Sequence, residues 1–140
     1  MRNFFIMNTL MERWGLRGDL TKLVGEFDLN FELKVKKHKN YIVKVMRINC
    51  DLKFVEMQVS AIEKIRNNNL MFPIPIVIKS NEGKYFEIIK DENEEIRIVW
   101  VLKKLSGTLL SEFTPKSQSL LENLGTTAAT LDLSLKGFYH

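Results

Sequence analysis

The stretch YIVKV, residues 41–45, sets Lys44 between Val43 and Val45, on the same strand face as Ile42 and Met46. An ammonium in so apolar a strand is costly to desolvate unless an anion meets it. The chemistry open to it is anion binding. The plainer reading is an edge lysine whose stem packs while its charge reaches water. Carboxylates follow in FVEMQVSAIEKI. Glu56 stands beside Val55 and three residues before Val59, at the border of an apolar helix face, from which it can reach back to the sheet. Glu63, beside Ile62, is the alternative, and a solvated helix glutamate is the plain reading of either.

The elements that must position these groups are legible from periodicity. From Phe27 the apolar residues fall at every second position, through Leu29, Phe31, Leu33 and Val35, with Asp28, Asn30, Glu32, Lys34 and Lys36 opposite. A period of two predicts a half-buried strand. Lys44 lies in the strand after it, beyond a polar turn at 37–40. Upstream, residues 4–14 predict a helix ending before Gly15, and GDLTKLVG a short strand leading into a turn at Gly25. Leu52, Val55, Val59 and Ile62 recur three to four residues apart, which predicts an amphipathic helix with Asp51 as N-cap and residues 67–69 as its stop. Pro73 and Pro75 hold the next segment extended, and strands follow at 76–78, in KYFEIIK and in IRIVWVLKKL. The last is apolar on both faces and should be central in its sheet. A final helix is expected from Thr114, with Pro115 at its first position and a stop at Gly137. The fold class expected is α+β: an antiparallel sheet of five to six strands with one inserted helix, flanked by N- and C-terminal helices.

Composition narrows the function classes. A chain of 140 residues, 45% hydrophobic and 27% charged, suits one ordinary globular domain. Its net charge of +4 favours anionic partners only mildly. Much of the excess sits in Lys34, Lys36, Lys37 and Lys39, which read as a solvated hairpin tip. No aromatic ladder accompanies them, so nucleic-acid binding is not expected. Cys50 is the single cysteine and cannot form an intrachain disulfide; a reducing, cytoplasmic setting and a structural role follow. No run approaches the ~20 apolar residues a membrane span needs. The acidic run Asp91, Glu92, Glu94 and Glu95 reads as a solvated turn, since it lacks a rigid metal-ligand spacing.

Taken together, WGLRGDLTKLVGEFDLNFEL, YIVKV, FVEMQVSAIEKI, IRIVWVLKKLSGTLL and LGTTAATLDLSLKGFYH resemble, in order, the small lobe of the aminoglycoside phosphotransferase and choline kinase-like superfamily, and most nearly its hydroxylysine kinase-like members. The resemblance implies a protein kinase-like small lobe over residues 1–107, followed at 108–140 by the hinge exit and the first helix of a truncated large lobe. It implies ATP with Mg as cofactor, Lys44 on the α- and β-phosphates, and Glu56 as the carboxylate holding Lys44. Gly25, Asp28 and Asn30 would form the turn over the phosphates, although an ordinary hairpin turn fits them equally. Lys103 and Leu105 would offer hinge backbone groups to adenine. The family's usual proline before the hinge glycine is Ser106 here. Its H-x-D-x-x-x-x-N catalytic loop and magnesium-binding aspartate would lie past His140, and no His-x-Asp occurs in the chain. The lobe is thus expected to bind nucleotide without catalysing transfer alone. The leucines of the last helix make a homodimer, or a missing large lobe, the expected partner; a self-associating or partner-binding scaffold with this fold is the alternative.

Overall fold

The computed structural model describes residues 2–35, 39–68 and 70–140. In chain order the elements are α1 (Asn3–Trp14), β1 (Asp19–Leu23), β2 (Leu29–Val35), β3 (Lys39–Val45), α2 (Leu52–Arg66), β4 (Val77–Ile78), β5 (Glu87–Lys90), β6 (Ile96–Lys103) and α3 (Gln118–Ser134). The six strands form one antiparallel sheet in the order β1-β2-β3-β6-β4, with β5 also paired to β6. The fold is the expected α+β sheet with a helix inserted after its third strand.

The sheet has two differently covered faces. On one, α1 lays Ile6, Leu10 and Trp14 against Phe31, Leu33, Val43, Val45, Val99 and Val101. Trp14 Nε1 donates to the Ile78 carbonyl at 2.9 Å, which satisfies the indole N–H that this packing buries. Gly15 ends α1 in the left-handed region, at φ 65°, as its position in the sequence predicts. On the other face α2 covers only the β6 side, packing Val55 and Val59 on Met46, Val77, Ile98 and Trp100. Buried on both sides from Ile98 to Val101, β6 is the central strand its composition demands. Asp51 caps α2 by accepting the Lys53 N–H at 2.9 Å, and Asn67 ends it.

Three expectations need correction. Alternation begins at Leu29, not Phe27: Phe27 lies in the bend before β2 and is 70% exposed. The last helix starts at Gln118, because the Ser117 hydroxyl accepts the Leu120 N–H and so supplies a cap that Thr114 and Pro115 do not. It ends at Ser134, and Gly137, at φ 69°, lies beyond its cap. Finally, the acidic run at 91–95 is not uniformly solvated. The expected lysine tip at Lys36 and Lys37 falls outside the described residues.

Asp91 is 5% exposed and organises the turn between β5 and β6. Its carboxylate accepts the backbone N–H of Asn93 at 2.8 Å and of Glu95 at 3.1 Å, and pairs with Arg97 Nε at 3.0 Å. Arg97 in turn donates to the Met46 carbonyl, tying this turn to the end of β3. The Asn93 N–H above all, then Arg97 and the Glu95 N–H, hold the Asp91 carboxyl below its ordinary value against the opposing effect of burial. A depressed folded-state pKa contributes stability that is present above the unfolded value, near 3.9, and is lost as pH falls through the folded value. Thermal melts of Asp91→Asn should therefore show lower stability than wild type at neutral pH. The gap should close as pH falls below about 4. A gap that stays constant down to pH 2 would show that the carboxylate charge does not matter here.

Candidate functional site

In an antiparallel sheet, residues directly opposite each other share a face. The register places Leu23, Asn30, Lys44 and Trp100 in one row, and Thr21, Glu32, Ile42, Leu102 and Val77 in the next. Both rows lie opposite α1, on the face that α2 covers only near β6. The half carrying Asn30, Glu32, Ile42 and Lys44 is left without a helix. The lysine of the apolar strand therefore projects onto the uncovered part of the sheet.

Lys44 is half-buried, and its Nζ lies 5.5 Å from the centroid of the Trp100 ring across the strand. A cation over an aromatic face is attracted by roughly 0.5–2 kcal/mol, and a charge-assisted hydrogen bond to an anion would add about 1.5–3 kcal/mol. Among the described residues Lys44 takes part in no ion pair. Trp100 is fixed in turn by its own Nε1, which lies 3.3 Å from Met46 Sδ. This platform was not legible beforehand, because Trp100 read only as part of an apolar run.

At one end of the Lys44 row lies the turn from Val24 to Asp28. Gly25 is required there by space: a Cβ would stand 2.5 Å from the Asp28 carbonyl oxygen and 2.6 Å from Asn30 Nδ2. Asn30 Nδ2 donates to the Asp28 carbonyl at 3.4 Å, and Asp28 Oδ1 accepts the Arg47 N–H at 2.9 Å. Gly25, Asp28 and Asn30 are thus gathered beside the end of β3, with Asn30 opposite Lys44.

The segment 103–105, expected from the resemblance to be a hinge, lies at the other end of β3. The Lys103 N–H is taken by the Ile76 carbonyl and the Lys104 N–H by that of Asn40, at 2.8 and 2.9 Å. Leu105 follows with no backbone hydrogen bond from its N–H among the described residues, and is the first free donor after β6. A cleft of about 380 Å3, lined by Asn40, Tyr41, Ile78, Lys103, Leu105 and Gly107, opens at these strand ends. Sequence reasoning missed a polar cluster beside it. Buried Glu32 accepts from Lys104 Nζ at 2.7 Å and from Asn40 Nδ2 at 3.4 Å. Glu32 read as one of the polar residues on the solvated side of its strand, and only the register shows that this side is the open face.

Glu56 lies on α2 and forms no ion pair with Lys44. With Val59, Glu63, Tyr85 and Phe86 it lines a separate groove of about 700 Å3. Glu63 pairs instead with Arg66 at 2.7 Å, one turn on. Burial pushes the half-buried Cys50 thiol up, with Arg47 opposing, so it is not poised as a nucleophile. Among the described residues no cluster of three or more His, Cys, Asp or Glu is placed to hold a metal ion, and no helix is long and apolar enough to cross a membrane.

Neither a protein-family model nor a curated protein matches the sequence. Among solved structures, an amicoumacin kinase in complex with AMP-PNP, Ca2+ and Ami matches with a TM-score of 0.77 and 16% identity, over 100% of this chain and 42% of its own. A microcompartment-associated aminopropanol kinase matches with a TM-score of 0.71 and 15% identity, over 94% of this chain and 40% of its own. The chain spans about two fifths of the length of these kinases. At such identity the likeness establishes the fold alone: an antiparallel sheet with a helix inserted after its third strand, shared with about two fifths of each of these kinases.

Proposed function

We propose that the chain is the ATP-binding lobe of a small-molecule phosphotransferase acting on a hydroxyl of an amine-bearing metabolite or aminoglycoside. One observation carries the reading: Lys44 stands on the helix-free half of the sheet, set against Trp100 and without a carboxylate partner. An unpaired ammonium held in that way is suited to the α- and β-phosphates of a nucleotide. Leu105, at the far end of the same strand pair, is suited to the base. Glu56 is the carboxylate we assign to Lys44 in the nucleotide-bound state. Magnesium would enter on the phosphate oxygens themselves.

The lobe's contribution is to bind and orient. Phosphoryl transfer depends on placing the acceptor hydroxyl in line with the γ-phosphoryl and taking its proton. The chain has no His-x-Asp to supply that aspartate. We therefore expect nucleotide binding and no turnover by this chain alone. Titrating it with Mg-ATP while following backbone amide resonances tests the reading. Shifts should map to 25–30, 42–44 and 103–106; saturating nucleotide without shifts there refutes it.

A second reading has its own support. Leu121 and Leu124, neighbours on one side of α3, are 53% and 47% exposed, and Leu133, on another side, is 71% exposed. A self-associating scaffold would cover them, and so would a large lobe. Sedimentation at low micromolar concentration, with a dimer that Leu124→Glu breaks and no response to ATP, would favour the scaffold.

A further inference from the structure

We propose that Glu32, Lys104 and Asn40 form a clasp that sets the base-recognising segment, with Glu32 as a positioning residue for the Leu105 N–H. This rests on the nucleotide reading above and adds to it the group that makes the lobe read a base as well as phosphates. The three residues close a ring. Glu32 Oε1 takes Lys104 Nζ at 2.7 Å and Asn40 Nδ2 at 3.4 Å, while the Lys104 N–H goes to the Asn40 carbonyl at 2.9 Å. Lys104 is thus pinned by both its side chain and its backbone, one residue before the first free N–H after β6. The pin spans three separate pieces of chain, namely β2, the start of β3 and the exit of β6.

The cost of the arrangement points the same way. A buried carboxylate must be desolvated, and an apolar residue at position 32 would serve packing on β2 at less expense. What the carboxylate adds is a fixed geometry for a segment that otherwise leaves the sheet with few contacts. It also sits one row from Lys44, two residues along the strand or about 7 Å, so a ligand whose phosphates meet Lys44 extends its base toward the clasp.

Charge and position make opposite forecasts, which makes the clasp testable. By Coulomb's law alone, neutralising the Glu32 anion would tighten both ATP and inorganic triphosphate, and triphosphate more because it carries the larger charge. Removing the Lys104 cation would weaken both, triphosphate more, and so raise the ratio of ATP to triphosphate affinity; the two forecasts therefore oppose each other in Lys104→Met. The clasp instead requires the ratio of ATP to triphosphate affinity to fall, because only ATP carries a base. The experiment is calorimetric or resonance titration of the 140-residue chain with Mg-ATP and with Mg-triphosphate, for wild type, Glu32→Gln and Lys104→Met. The expected result is a ratio lowered about 3- to 10-fold in each variant, the worth of one hydrogen bond. Lys104 is 39% exposed at its side chain, so Lys104→Met tests the same bond from the solvent side should Glu32→Gln not fold. An unchanged ratio in either folded variant overturns the clasp while leaving nucleotide binding standing. A wild-type chain that binds neither ligand, or binds both equally, overturns the nucleotide reading and the clasp with it.

Discussion

Trp100→Ala should be the most destabilising single substitution outside the α1 layer, costing about 3–5 kcal/mol. Trp100 is 2% exposed at the middle of the central strand, and it packs in the cluster where α2 meets the sheet. Truncating it leaves Val55, Val59 and Met46 facing a void that a β-sheet backbone cannot collapse to fill. It also removes the ring beneath Lys44. Small domains are stable by only 5–15 kcal/mol, so a loss of this size consumes a large share of the total. Trp100→Phe should cost clearly less, since a ring still fills most of the space. Urea unfolding decides it: an alanine variant within about 1 kcal/mol of wild type would mean that the two layers are not coupled through this residue.

How far the sequence discloses this fold depends on where the physics is local. The strands β2, β3 and β6 and the helices α1 and α2 are written in periodicity and caps: Phe31 and Leu33 alternate, Gly15 stops a helix, Asp51 starts one. Each signal acts within a few residues, so each survives translation into structure. The start of α3 lies past Thr114–Pro115 because only the Ser117 hydroxyl meets a helical N–H, a contact that the Thr-Pro pair does not announce. Asp91 was missed for a similar reason. Its neighbours Glu92, Glu94 and Glu95 are exposed, and nothing local distinguishes the one carboxylate that turns inward to Arg97.

The candidate site residues could be named from the sequence, but not how they are arranged. Lys44 stood out because a charge broke an apolar strand, whereas Gly25, Asp28 and Asn30 were expected only from the family resemblance, an ordinary hairpin turn fitting them equally. Their assembly beside Lys44 depends on strand register, which pairs Asn30 with Lys44 across an interval of chain that no short motif spans. Glu32 and Lys104 are farther apart still, and their contact requires β6 to lie beside β3 and its exit to fold back toward β2. Long-range pairs of this kind carry no periodicity of their own. The choice of Glu56 as carboxylate partner rested on the family resemblance together with helix spacing, and the structure as it stands leaves Glu56 and Lys44 unpaired.

Lys44→Ala should weaken Mg-ATP binding by about 10- to 150-fold while leaving the fold intact, the cost of one charge-assisted hydrogen bond of 1.5–3 kcal/mol. Stability should change little, because the half-buried side chain gives the fold only its stem contacts and a cation–π attraction of about 0.5–2 kcal/mol. Removing the ammonium also relieves its desolvation, which offsets part of that loss. Lys44→Met separates the two contributions: it keeps the stem against Trp100 and drops the charge, so it should match the alanine variant in affinity and wild type in melting temperature. Inorganic triphosphate adds a further control. If Lys44 meets phosphate, triphosphate and ATP must weaken together and their ratio must hold, the reverse of what cutting the Glu32–Lys104 bond should do. Calorimetry on the three proteins with both ligands therefore reads the phosphate end and the base end of the site independently. Equal ATP affinities for wild type and Lys44→Met would remove Lys44 from the site. A changed ratio would place its effect on the base and not on the phosphates.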